Sequence, residues 1–80
     1  MKEIKEFLLT YFEVKLSTRR EDVGNDTIGN FMDSLDIVDF VLEIETRYNI
    51  DVKDDFYETI DERSVDEIAE YIKTKLENKE

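Results

Sequence analysis

Apolar residues recur at helical spacing along this chain and nowhere alternate strictly as in a half-buried strand. Ile4, Phe7, Leu8, Tyr11 and Phe12 fall at i, i+3, i+4, i+7 and i+8, a single stripe on a helix from about Lys2 to Leu16. Leu35, Val38 and Leu42 form one edge, and Ile37, Val41, Ile44 and Tyr48 another, of a broad apolar face on a helix from Ser34 to about Tyr48. Such breadth suits the central helix of a bundle. Phe56 and Ile60, one turn apart, predict a short helix over Asp54 to Ile60, with Asp54 and Asp55 at its favourable end. Ser64-Val65-Asp66-Glu67 fits a capping box, and Val65, Ile68, Ala69, Ile72 and Leu76 line the helix it opens. Residues 17–32 read as a long loop with Gly24 and Gly29, which Val23, Ile28, Phe31 and Met32 can pin to the core. Asn49 to Val52 is locally ambiguous. The pattern predicts an all-α fold, a four-helix bundle with three main helices and a short third.

Composition narrows the chemistry. Eighty residues, 1–80, make a single domain with a small stability margin. Twenty-two acids against eleven bases give a net charge of −11. This speaks against nucleic acid and anionic lipid as partners, because both require cationic groups. It favours basic protein surfaces, reached by electrostatic steering. Self-repulsion opposes compaction, so salt or divalent cations should stabilise the fold.

No cysteine and no histidine occur. A disulfide framework, a thiolate nucleophile and a Cys-ligated metal are thereby excluded. Acid–base work would fall on exposed carboxylates with no evident buried pair, so the chain reads as a non-catalytic protein. The apolar runs are too short for membrane insertion or a secretory leader, and the default address is cytoplasmic. The acids of Asp22 to Asp33 fit an EF-hand calcium loop poorly, because the sixth position is Thr27 rather than glycine and the last is Asp33 rather than glutamate; loose divalent binding by clustered acids is the better reading. No metal site is expected.

Asp33-Ser34-Leu35-Asp36 is the most informative run. Asp33 reads as an N-cap, and Asp36 adds negative charge to the first turn, where the helix dipole favours it. Ser34 then becomes the first helical residue, with its hydroxyl toward water. A helix N-terminus is also a favourable place for a phosphate, so this serine is well placed to carry a phosphodiester.

The run from Asp33 to Glu45 (DSLDIVDFVLEIE) resembles the prosthetic-group helix of the acyl carrier protein family. Tyr48-Asn49-Ile50-Asp51-Val52 is similar to the exit of that helix, and Ser64 to Leu76 to the family's final helix. The resemblance covers nearly the whole chain and is weakest over residues 17–30. It implies a carrier whose Ser34 bears covalent 4′-phosphopantetheine from coenzyme A, flanked by Asp33 and Leu35. On that arm, acyl or aminoacyl intermediates of fatty-acid, lipid or secondary-metabolite biosynthesis ride as thioesters. The implied partners are a phosphopantetheinyl transferase, which uses Mg²⁺ on its own side, and acyl-loading and acyl-using enzymes with basic docking patches. The carrier itself is expected to be a monomer.

Asp36, Asp39, Glu43 and Glu45 are the candidate docking carboxylates; the first three are three and four residues apart and share one side. The plain reading of the four is a solvated face. Val38, Leu42, Phe56, Ile60 and Ile68 read as core by spacing, and the resemblance makes them candidates for an acyl-chain pocket. The sequence departs from the family pattern in three places. Phe31 stands where glycine is common, Lys53 stands where proline is common, and Lys53 to Arg63 is somewhat long. Phe31, the added length before Arg63, and Arg47 in the acidic helix point to a specialised carrier. Two other classes remain open: an acidic helical interaction module without a prosthetic group, and a small calcium-responsive protein.

Overall fold

The computed structural model describes residues 2–24 and 26–78. All the regular elements in them are helical: α1 (Lys2–Leu16), α2 (Arg20–Val23), α3 (Ser34–Tyr48), α4 (Asp54–Thr59) and α5 (Val65–Glu77). Two 3₁₀ turns, Ile28–Asn30 and Ile60–Glu62, complete the order. Among the described residues, extended pairing is limited to one isolated antiparallel bridge, Thr27 to Ser64. The chain is therefore all-α, and the ambiguous residues 50–53 form a connection without strand structure.

Each long helix ends for a local reason. Ser17 takes φ 53° after α1, and the Thr18 amide reaches back to the Phe12 carbonyl at 3.0 Å. Asn49 takes φ 54° and ψ 52° after α3, and the Ile50 amide donates to the Glu45 carbonyl at 3.3 Å. Asparagine tolerates this left-handed geometry, and the buried Ile50 supplies the apolar contact that often accompanies such a helix end. Ser64 caps α5 through its side chain and Glu67 answers from the third position, the expected capping box.

The core joins every helix. Leu8 and Phe12 of α1, Val23 of α2, Phe40 and Ile44 of α3, Ile60, and Ile68 and Ile72 of α5 are all but inaccessible. Phe12 and Phe40 meet edge to face at 5.5 Å, and Tyr11 tilts against Phe40 at 5.1 Å. Such pairs add about 0.5–1.5 kcal/mol beyond their buried area. At the other end of the α1–α3 contact, the Phe7 and Tyr48 rings lie 5.7 Å apart, with the Arg47 guanidinium 4.6 Å over Phe7.

The structure departs from the expected architecture in two places. The segment expected as loop contains α2 and a 3₁₀ turn. Arg20 anchors α2 to the outer face of α1, with Nη1 to Glu6 at 3.0 Å and Nη2 to Glu13 at 2.9 Å. Those hydrogen bonds raise the Arg20 guanidinium above its usual range and lower Glu13 below the usual carboxylate value.

The second departure concerns α3. Leu35, Val38 and Leu42 were expected on its buried face, but they are 76%, 41% and 55% exposed. The face that packs is Phe40, Val41 and Ile44, with Ile37 and Tyr48 at its margin. At about 100° per residue the two stripes are centred roughly 135° apart, and one bundle core cannot cover both. Phe40 decides which stripe is buried, because its ring fills the space between Tyr11 and Phe12.

Candidate functional site

The N-terminus of α3 is held from both sides. Asp33 accepts from the Asp36 amide at 2.9 Å, and the Asp36 carboxylate accepts from the Asp33 amide at 3.2 Å. This reciprocal box, with aspartate at its third position, satisfies two donors that a helix start otherwise leaves open. Met32 and Ile37, at the positions of a hydrophobic staple, both pack on the core. Phe31 stands at φ −121° with its ring 6.5 Å from Phe12, edge to face. The backbone there has no need of glycine, and the side chain anchors the approach to the helix.

The preceding segment is fastened to the α4–α5 connection. The Ile28 amide donates to the Arg63 carbonyl at 2.9 Å beside the Thr27–Ser64 bridge. Gly29 lies so close to Asp61 that a Cβ there would stand 2.5 Å from its carbonyl oxygen. Ser34 emerges from this brace as the first residue of α3, exposed. Leu35 is exposed beside it.

The expected carboxylates divide. Asp36, Asp39 and Glu43 gather on one side, with Tyr11, Lys15 and Leu16 of α1 across a recess. Burial raises the Tyr11 phenol above its ordinary pKa, and the charges of Asp39, Glu43 and Asp36 add to the rise. Glu45 is not among them. It is half-buried, and its Oε2 accepts from the Val52 amide at 2.9 Å, so it binds the chain that leaves α3.

The five expected pocket residues divide as well. Phe56, Ile60 and Ile68 are buried, whereas Val38 and Leu42 face outward because the Phe40 stripe occupies the core. Phe56 borders a surface groove with Arg63, Glu67, Glu70, Tyr71 and Thr74, which includes none of the other four. There its ring stacks on Tyr71 at 3.7 Å and 9°, under the Arg63 guanidinium at 5.0 Å.

Among the described residues, no group of three or more Asp, Glu, His or Cys side chains is arranged to hold a metal ion. No helix among them is long and apolar enough to cross a membrane.

Compared with protein-family models, curated proteins and solved structures, the chain matches none.

Three features were missed in the sequence. Phe40 is the central ring of the α1–α3 contact, and its signal was the i, i+3, i+4, i+7 set Ile37-Phe40-Val41-Ile44, which avoids Leu35, Val38 and Leu42. Tyr11 was read only as part of a core stripe, although a tyrosine at a stripe's margin carries a polar tip. Gly29 gave no signal, because the segment it touches lies 32 residues on, at Asp61.

Proposed function

We propose that this chain is a non-catalytic carrier protein with the four-helix arrangement of the acyl carriers, α2 being an addition in the first connection. Ser34 is the attachment residue for 4′-phosphopantetheine. The observation that carries this reading is an exposed serine at the first position of a doubly capped, braced, fifteen-residue helix. The surroundings fit the group. The capping box engages the Asp33 and Asp36 amides and leaves those of Ser34 and Leu35 outside it, and a helix N-terminus favours a phosphodiester. The Asp33 and Asp36 carboxylates are drawn onto main-chain amides, which lessens their repulsion of that anion.

When bound, the arm supplies a thiol that carries acyl or aminoacyl groups as thioesters. This chain's own residues present and recognise. Asp36, Asp39 and Glu43 offer charge to basic patches on a transferase and on acyl-handling enzymes. Leu35, Val38 and Leu42 run beside those carboxylates as exposed apolar surface. Val38 and Leu42 lie one and two turns from Ser34 on a neighbouring line of the helix, where they can cover an apolar cargo or meet a partner. The cell compartment that fits this work is the cytoplasm.

The test is intact mass after incubation with coenzyme A, Mg²⁺ and a broad-specificity phosphopantetheinyl transferase. The native chain should gain one phosphopantetheine and Ser34→Ala none. A folded chain that gains nothing, even with a transferase from its own source, would overturn the reading. An acidic interaction module without a prosthetic group would then take its place, because the exposed stripe and its carboxylates form a docking face without help from Ser34.

A further inference from the structure

Among the described residues, the Nε of Arg63 is buried without a hydrogen-bond partner. A guanidinium carries five N–H donors in a rigid fork, and a buried donor without an acceptor costs free energy. The rest of the group is only partly engaged. Nη2 donates to the Thr59 hydroxyl at 3.1 Å, while Nη1 stands 3.7 Å from Glu67, beyond hydrogen-bond length. The guanidinium lies over the Phe56 ring at 5.0 Å, which helps to hold it in place.

Nε–H and Nη2–H share one edge of the guanidinium. That edge suits the paired oxygens of a carboxylate or a phosphate, which accept two parallel hydrogen bonds from it. Thr59 offers the edge a single oxygen. Its hydroxyl has little else to lose, because its contacts with the Asp55 and Phe56 carbonyls are both 3.4 Å long. A phosphoryl group on the Thr59 oxygen brings further acceptor oxygens to the same edge, and Nε gains a partner.

The sequence around Thr59 is an independent observation. Thr59-Ile60-Asp61-Glu62 sets acids two and three residues after the hydroxyl, and Glu58 precedes it. Glu58, Asp61 and Glu62 are exposed and Thr59 is half-buried. A basic groove on an enzyme reads acids so placed. The similar run from Ser64 to Glu67 is consumed within the chain as the cap of α5. Thr59 caps no amide, and Asp61 and Glu62 enter none of the ion pairs of the described residues. Ile60 is buried, so the segment has to open before an enzyme takes it. Thr59 lies between a six-residue helix and a single 3₁₀ turn, elements too short to hold by themselves.

We propose that Thr59 is a phosphorylation site for an acid-directed protein kinase, and that Arg63 clamps the phosphate through Nε and Nη2. Oγ1 of Thr59 attacks the γ-phosphorus of a nucleoside triphosphate. The new O–P bond forms as the bond to the bridging β-phosphate oxygen breaks, the nucleoside diphosphate leaves, and the hydroxyl proton passes to a base of the kinase. The clamp ties the end of α4 to Arg63, whose carbonyl holds the Ile28 amide of the brace. None of this depends on a prosthetic group at Ser34.

The full chain is incubated with Mg²⁺, ATP and a protein kinase selective for acidic sequences, and the product is read by intact mass and fragmentation. One phosphate should appear on Thr59. Asp61→Asn with Glu62→Gln should slow its incorporation about tenfold, the loss expected for charged contacts to the enzyme. Phosphorus NMR then reports the clamp. The titration midpoint of the phosphate should lie about one pH unit lower in the native chain than in Arg63→Gln, since an adjacent cation favours the dianion. The Arg63 Nε–H resonance of the native chain should move downfield on phosphorylation, a readout that needs no variant should Arg63→Gln lose its fold. No incorporation into the native chain, phosphate on Ser64 instead of Thr59, a midpoint unchanged by Arg63→Gln, or an unmoved Nε–H resonance would each overturn the proposal.

Discussion

Replacing Gly29 with alanine should destabilise the protein although no hydrogen bond is lost and no special backbone angle is needed. Neither glycine of the chain has a positive φ, so the effect is purely one of space. The new methyl would stand 2.5 Å from the Asp61 carbonyl oxygen and 2.9 Å from its Cβ. A main-chain oxygen cannot swing aside. The two strands of chain are also tied on either flank, by the Ile28 amide to the Arg63 carbonyl and by the Thr27–Ser64 bridge. Separation to ordinary contact therefore has to move the whole brace, and overpacking of this kind costs about 1–3 kcal/mol. Alanine returns about 0.4–1 kcal/mol by restricting the unfolded chain. The net loss is about 1–2 kcal/mol, which at about 4–8 °C per kcal/mol lowers Tm by roughly 5–15 °C. Gly24→Ala is the control. Its Cβ would meet only the Arg20 carbonyl oxygen, at 3.0 Å, with helical φ −66°, and its Tm should stay within about 3 °C of the native value. The assay is thermal unfolding by far-ultraviolet circular dichroism. Equal Tm values for the two variants would refute the close-approach argument.

Three further outcomes follow from named contacts. Asp33→Ala removes half of the box at α3 and should cost about 1 kcal/mol, read as a lower Tm, while Asp33→Asn should keep most of it. Ultraviolet titration should show one tyrosine ionising above its ordinary pKa of 10.0, and Asp39→Asn should bring it down. A phenol with a raised folded pKa gives stability that is complete below 10.0 and lost as pH rises through the folded value, so the native chain should weaken in that alkaline window. At the acid end, Glu13 is held below its usual range by Arg20; its contribution is present above the ordinary glutamate value and disappears as pH falls through the lowered one. Carboxylate NMR should show Glu13 returning to ordinary titration in Arg20→Ala.

The parts of the fold that could be read in the sequence are those written in neighbouring residues. The bounds of α1 and α3 match the spacing of Ile4 to Phe12 and the Asp33 cap, and α5 begins at the Ser64 box. What was not legible depends on residues far apart. Arg20 fastens α2 to α1 through Glu6 and Glu13, which lie 14 and 7 residues before it. Glu45 looks like one more surface acid until the chain turns back and presents the Val52 amide to it. At the site, Ser34 and its cap are local and were visible, whereas the recess is not. It needs two helices to meet, and Tyr11 acquires its carboxylate neighbours only when they do.

The misassigned face of α3 carries the functional argument furthest. A helix with apolar residues on two sides poses a choice, because burying Leu35, Val38 and Leu42 would have turned Phe40 and Ile44 to water. Phe40 carries the larger apolar surface and has two aromatic partners on α1, so its stripe goes inside. Leu35, Val38 and Leu42 then remain outside at a cost, since each exposed leucine forgoes up to about 1.5–3 kcal/mol of burial. Three such residues at helical spacing lie on the same helix as three carboxylates, and exposed apolar residues grouped beside polar ones are what a contact surface requires. The carboxylates give that surface reach and sign, and the apolar stripe gives it area. Ser34 stands at the end of both, so whatever docks there on α3 also reaches the serine.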